Sequence, residues 1–182
     1  MAGYYVLDVP KLIKERAHSI KQPFPHQQEA FSALSKVLTV PLNGYKGTLL
    51  VLPTGGGKTF TSINWICRHI LTCTVKVLWL AQSAYLLDQS ADTFINEIHN
   101  ANGRNRVNLR IVSSSIKHAN SGSIETTDDV LICTTQTAIS AYSSVSVCPT
   151  LIVSASPQTI DVGAAQGFAT VSGDLSKRKA VS

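Results

Sequence analysis

Apolar positions along this 182-residue chain change rhythm repeatedly, from helical spacing to short solid runs and back. Leu12, Ile13, Ala17 and Ile20 predict a short first helix, broken by the prolines of Gln22-Pro23-Phe24-Pro25. A second helix is predicted from about residue 26, carrying Ala30, Phe31, Ala33, Leu34, Val37 and Leu38 at helical spacing and closed by Pro41 and Gly44. A strand over residues 48–52 leads into a glycine turn and a helix with Phe60, Ile63, Ile66, Cys67, Ile70 and Leu71 on one face. The run 75–81 is almost wholly apolar, as in a parallel strand covered on both faces. The next helix has a buried stripe of Ala84, Leu87, Ala91, Phe94, Ile95 and Ile98, with Asp88, Asp92 and Glu97 expected away from most of it, and Asn102-Gly103 ends it. Strands are predicted over 107–112, 129–133 and 150–153, with a short helix over 136–142. Strands alternating with helices imply an α/β three-layer domain with a mostly parallel sheet and ligand loops at the carboxyl ends of its strands.

From residue 154 the composition shifts to Ala, Ser, Gly and Thr and ends in Lys177-Arg178-Lys179, the pattern of a low-order tail. Length suits one domain with a real core. A hydrophobic fraction of 44%, a charged fraction of 15% and a mean hydropathy of +0.12 are those of a folded globular protein. The net charge of +5 fits a phosphate-rich partner but does not demand one. Cys67, Cys73, Cys133 and Cys148 form no Cys-x-x-Cys pair and have no histidines at metal spacing, so zinc is not expected and thiols in a reducing compartment are. No secretory block and no run of membrane-spanning length appear, and the expected location is cytoplasmic.

The chemistry concentrates in Leu49-Leu50-Val51-Leu52-Pro53-Thr54-Gly55-Gly56-Gly57-Lys58-Thr59. Glycines let a loop wrap with its N–H groups inward, Lys58 can reach the β- and γ-phosphates of ATP, and the Thr59 hydroxyl can ligate Mg²⁺. The helix that follows points its N-terminal dipole at the same anion. The general template wants glycine six residues before the lysine, where this chain has Leu52.

Apolar-Pro-Thr-Gly-x-Gly-Lys-Thr resembles motif I of superfamily 2 helicases and translocases. Upstream, Phe24-Pro25-His26-Gln27-Gln28-Glu29-Ala30 is similar to the segment that precedes motif I in that superfamily, where Gln27 matches the adenine-reading glutamine. A side-chain amide offers adenine both a donor and an acceptor. Residues 77–89 resemble motif Ia, with Gln82 and Ser83 as candidate nucleic-acid contacts, although Ser83 and Ala84 stand where the family usually carries arginine. Residues 130–138 resemble the strand ending in Ala-Thr-x-Gln-Ser, and Thr134 matches the threonine that touches a backbone phosphate. A helix cap explains that threonine equally well. Arg104, Arg106, Arg110 and Lys117 form a local basic cluster, expected as a solvated strand edge and not as a base-stacking surface.

The resemblance covers residues 22–138 and is strongest for helicases of the type III restriction-subunit kind. It implies a RecA-like P-loop fold, incomplete at the C-terminus, with N-terminal helices and the glutamine segment in 1–46, the ATP-binding core in 47–153 and the tail in 154–182. The implied ligands are ATP (Gln27, Thr54, Gly55, Gly56, Gly57, Lys58, Thr59) and Mg²⁺ (Thr59). The implied partner is nucleic acid, DNA ahead of RNA, with no membrane and with a second helicase domain or partner subunit supplied from elsewhere.

Hydrolysis in such proteins needs an aspartate and a glutamate at a strand's carboxyl end, yet no Asp or Glu occurs between Asp129 and Asp161. Asp128 and Asp129 precede their strand, at the wrong end. Either residues 155 and 156, Ala and Ser, occupy the acidic slots, or Ser154-Ala155-Ser156-Pro157 corresponds to the family's Ser-Ala-Thr-Pro motif and the acidic segment is skipped. No catalytic residue is identified, and the expected behaviour is nucleotide binding without turnover. A small P-loop kinase or other nucleotide-dependent transferase, and a non-catalytic nucleotide-binding remnant, are the alternatives.

Overall fold

Every side chain of the strand Val77–Ala81 is buried, which requires cover on both faces. The computed structural model describes residues 2–16, 22–38, 46–53, 55–73, 75–142, 151–154 and 169–172. In chain order the strands are β1 (Tyr4–Asp8), β2 (Lys46–Leu49), β3 (Val77–Ala81), β4 (Arg106–Val112), β5 (Val130–Thr134), β6 (Leu151–Ser154) and β7 (Ala169–Ser172). The described strands form a 7-stranded sheet in the order β1-β4-β5-β3-β6-β7-β2. β1 runs antiparallel to β4 and every other pair is parallel. The helices are α1 (Val9–Arg16), α2 (Pro25–Val37), α3 (Lys58–Trp65), α4 (Ala84–Glu97) and α5 (Thr135–Tyr142).

The period of two along each strand divides the core. Val77, Trp79 and Ala81, with Leu109, Ile111, Val130, Ile132, Leu151 and Val153, face the main core, where they meet Leu34 of α2, Ile63 of α3 and Leu87 and Phe94 of α4. Trp79 and Phe94 pack edge to face with centroids 5.6 Å apart. Leu78, Leu80, Val112, Cys133 and Ile152 face the other way into a smaller cluster covered by Ala119, Ile124 and Ala138 of α5. Burial pushes the Cys133 thiol up to about 12 and drives Cys67, in the main core, higher still. This is the expected three-layer arrangement, with α5 the one described helix on the thinner side.

Several local expectations are corrected. Residues 4–8, which the apolar pattern assigns to no element, add an antiparallel edge strand to β4. β2 stops at Leu49, because its ladder ends at the pair Leu49–Ser172 and the Leu52 carbonyl accepts from Lys58 Nζ instead. Within the stretch expected as a tail, Ala169–Ser172 forms β7 between β6 and β2. After α3 the chain widens into one π turn, Ile66–Ile70, with the Leu71 N–H on the Ile66 carbonyl. Glu97 is buried, because Asn64 Nδ2 (2.5 Å) and Asn100 Nδ2 (3.1 Å) donate to its Oε2.

The basic cluster also departs from a solvated edge. β1 covers the side of β4 that would have been open, and alternation sends Asn108 and Arg110 to the thinner face, where Arg110 is only 1% exposed. Its Nε donates to Asp128 Oδ2 at 2.7 Å, its Nη2 lies 3.3 Å from Glu125 Oε1, and its guanidinium carbon sits 4.4 Å from the centre of the Tyr4 ring. Burial alone would lower the Arg110 pKa, but the hydrogen bond and charge of Asp128 outweigh it and the net shift is upward. Removing one member of a buried ion pair strands the other. Asp128→Ala should therefore cost about 3–5 kcal/mol in a urea-melt comparison, whereas Arg110→Met with Asp128→Leu should cost less than either single change. Equal or larger loss in the double variant would show that the pair's charge is not what matters there.

Candidate nucleotide and nucleic-acid site

The phosphate-loop residues run from the carboxyl end of β2 into α3, and their hydrogen bonding is one-sided. Gly56 N–H donates to the Pro53 carbonyl at 2.9 Å, closing a turn, and Gly55 and Gly57 adopt φ of +80° and +75°. Such angles favour glycine. The Leu52 carbonyl accepts from Lys58 Nζ at 2.9 Å, and the Gly57 carbonyl accepts from both Thr61 N–H (2.8 Å) and Thr61 Oγ1 (2.9 Å). The loop carbonyls are thus engaged internally. Gly57 is the N-cap of α3 and among the described residues no side chain caps that helix, which leaves its first N–H groups able to receive an anion. Thr59 lies half-buried in the first turn; Thr54 lies outside the described residues.

Gln27 comes to the same loop from α2. Pro25 begins that helix, which puts Gln27 at its third position. Its Oε1 accepts the Phe24 N–H at 3.0 Å and its Nε2 donates to the Gly56 carbonyl at 3.3 Å, leaving the side chain 4% exposed. A Cβ on Gly57 would fall 2.7 Å from that Nε2 and push the Gln27 amide aside, so the angle demands glycine and the contact ties Gln27's position to it. Half of the amide's hydrogen-bonding capacity remains, one N–H and one lone pair. Phe24 and His26, which nothing in the sequence pattern marks, accompany it. Their rings stack 5.9 Å apart at 10°, and His26 Nε2 lies 3.3 Å from the Gly56 carbonyl.

The three proposed nucleic-acid contacts come together at the carboxyl ends of neighbouring strands. Ala81 of β3 pairs with Thr134 of β5, which sets Gln82 and Ser83 beside Thr134. Two of these side chains also cap helices. Ser83 Oγ accepts the Leu86 N–H at 3.4 Å at the start of α4, and Thr134 Oγ1 accepts the Thr137 N–H at 3.2 Å at the start of α5. Next to them, beyond β4, Ser113 Oγ lies 2.6 Å from His118 Nδ1 and His118 Nε2 lies 2.8 Å from Asp88 Oδ1. This chain, invisible in the sequence because its members are up to thirty residues apart, fastens the loop after β4 to α4. β2 is three strands from β3, so about 14 Å separates the two groups along one rim.

Asp128 and Asp129 lie at the opposite rim and are engaged by Arg110 and Arg104. Among the described residues no group of three or more His, Cys, Asp or Glu could hold a metal ion, and no helix is long and apolar enough to cross a membrane. Residues 155 and 156, on which the two alignments of the acidic segment differ, lie outside the described residues.

Comparison with solved structures finds a similar fold in the type ISP restriction-modification enzyme LlaGI, a nuclease-deletion mutant in complex with a DNA substrate mimic. The TM-score is 0.58 at 20% identity, over 85% of this chain and 17% of the LlaGI chain. This chain therefore spans about a sixth of that enzyme. No curated protein sequence matches it. The family model described as the res subunit of type III restriction enzymes matches residues 20–157, from before Gln27 to beyond β6. A match over that much of the chain, on a sheet that sets the glycine loop and the two cap turns along one rim, shows that the chain belongs to the type III restriction enzyme res-subunit family.

Proposed function

We propose that this chain binds Mg-ATP in the loop of residues 53–59 and contacts a nucleic-acid backbone at the turns of residues 82–83 and 134, as the nucleotide-binding domain of an ATP-driven helicase or translocase. One observation carries the reading: the carbonyls of Leu52, Pro53, Gly56 and Gly57 already accept hydrogen bonds, while among the described residues no side chain caps the amides at the head of α3. An anion with several oxygens completes such a loop, and a triphosphate is the anion whose base Gln27 could read from its place against Gly56.

In this proposal Lys58 leaves the Leu52 carbonyl for the β- and γ-phosphates, and the Thr59 hydroxyl ligates Mg²⁺. Thr59 would hold the metal, which would supply positive charge against the phosphates. Gly55, Gly56 and Gly57 admit the phosphates close to the main chain, with Thr54 continuing the same loop. Gln27 holds adenine through the unused half of its amide. The Ser83 hydroxyl, whose oxygen already accepts a helix N–H group, keeps a hydrogen to donate to phosphate; the Thr134 hydroxyl keeps one when Thr137 Oγ1, 2.8 Å away, is the donor between the two, and Gln82 stands beside them. DNA is favoured over RNA because the LlaGI complex contains a DNA substrate mimic.

Turnover by this chain alone should be near background, since no Asp or Glu occurs between Asp129 and Asp161 to orient water and loss of a general base costs about 10²–10⁴ in rate. A second helicase domain or a partner subunit would supply the missing groups.

Calorimetric titration with Mg-ATP tests the site. Lys58→Ala should weaken binding at least tenfold, as loss of a charge-assisted contact worth about 1.5–3 kcal/mol requires; unchanged affinity would remove the assignment. Gln27→Ala should reduce the preference for ATP over GTP while leaving tripolyphosphate binding within about threefold, because its effect falls on the base. Equal losses for all three ligands would mean that Gln27 only braces Gly56.

A further inference from the structure

At the amino-end rim of the sheet, away from the glycine loop, a cavity of about 370 Å³ is lined by Lys76, Arg104, Arg106, Asn108 and Asp129 together with the turn of residues 126–127. Lys76 precedes β3, Arg106 opens β4 and Asp129 precedes β5, so three adjacent strands deliver these groups to one place. Three cations converge there on one carboxylate, and that carboxylate is occupied. Asp129 Oδ1 takes Arg104 Nη2 at 2.6 Å and its Oδ2 takes the Asn108 N–H at 2.8 Å.

The remaining donors differ in how far they are committed. Arg104 is a staple, since it also donates to the carbonyls of Cys73 and Arg106. Lys76 Nζ donates to the carbonyls of Thr126 and Asp128, which leaves one ammonium hydrogen. Arg106 donates only through Nε, to Asn108 Oδ1 at 3.0 Å, and its two terminal amino groups make no hydrogen bond among the described residues. That bond fixes the plane of a guanidinium whose outer edge is open. A planar fork beside an ammonium matches the oxygens of a phosphate. The volume lies in the lower range of small-ligand sites and exceeds what one carboxylate fills.

We infer that this cavity is a second phosphate-binding site, independent of the glycine loop, with Arg106 and Lys76 as its principal ligands. Its rim is separated from the glycine-loop rim by the length of the strands, about 16 Å for five residues, so one bound nucleotide cannot place phosphates in both. The phosphate belongs either to a small phosphorylated compound or to the backbone of a nucleic acid reaching the far side of the domain.

The test uses inorganic pyrophosphate titrated calorimetrically into the full chain carrying Lys58→Ala, which weakens the glycine loop. Pyrophosphate should still bind, Arg106→Ala added to that background should weaken it about tenfold or more, and Arg106→Lys should restore only part because the fork is lost. The Arg106 side chain is exposed and, among the described residues, hydrogen-bonded only to Asn108, so thermal melting of the variants should coincide. Displacement of pyrophosphate by a short oligothymidylate would assign the phosphate to a nucleic-acid backbone, and failure to displace it would assign a small phosphate compound. No binding to the Lys58→Ala protein, or identical affinity with and without Arg106, would overturn the inference. Either result is separable from the glycine-loop reading, which rests on ATP binding to the protein with Lys58 intact.

Discussion

A loop of backbone has as many donors as acceptors, and what it can bind depends on which of the two it uses up within itself. Here the carbonyls of Leu52, Pro53, Gly56 and Gly57 all accept from neighbouring groups, while the helix that follows begins without a side-chain cap. The surplus is therefore of N–H groups, and with the dipole of α3 behind them it selects for negative charge. The left-handed angles at Gly55 and Gly57 and the contact of Gln27 on Gly57 are the local conditions for that surplus. Lys58 is held on Leu52 by a bond to a neutral carbonyl, weaker than the bond between opposite charges that a phosphate would offer.

The sheet decides what this loop can act with. Its parallel strands put every following turn on one rim, so residues 82–83 and 134 lie side by side through the Ala81–Thr134 pairing and share that rim with the glycine loop. The other rim gathers the charged residues that precede the strands. Arg110 with Asp128 and Arg104 with Asp129 consume both aspartates nearest to β5, which is why those carboxylates serve the fold. The two rims have opposite character: hydroxyls and open amides on one, fixed ion pairs and cations on the other.

Much of this was legible in the sequence, for reasons that differ by element. β3, β4 and β5 and helices α2 and α4 stand out because their apolar period is long and unbroken, and the glycine loop stands out because few other structures need Gly-Gly-Gly-Lys-Thr after a strand. β1 and β7 were not read, since each is a short edge or inserted strand whose stability comes from its partners and not from its own pattern. Glu97 and Arg110 were placed in solvent because charge is the usual mark of exposure. Asn100 lies three residues from Glu97, but Asn64 and, for Arg110, Asp128 lie 33 and 18 residues away and no local signal joins them. Gln27 stands out in the sequence by its position before the glycine loop, but its bond to Gly56 depends on how α2 packs and cannot be read from spacing.

The account turns on Lys58 and the amides around it changing partners when a triphosphate arrives. A crystal structure of the chain with Mg²⁺ and a non-hydrolysable ATP analogue measures this directly. The account predicts Lys58 Nζ withdrawn from the Leu52 carbonyl and bonded to the terminal phosphates, with the N–H groups of residues 55–59 on phosphate oxygens and adenine against Gln27. Lys58 still seated on Leu52, with the loop empty of ligand at saturating concentration, would contradict it.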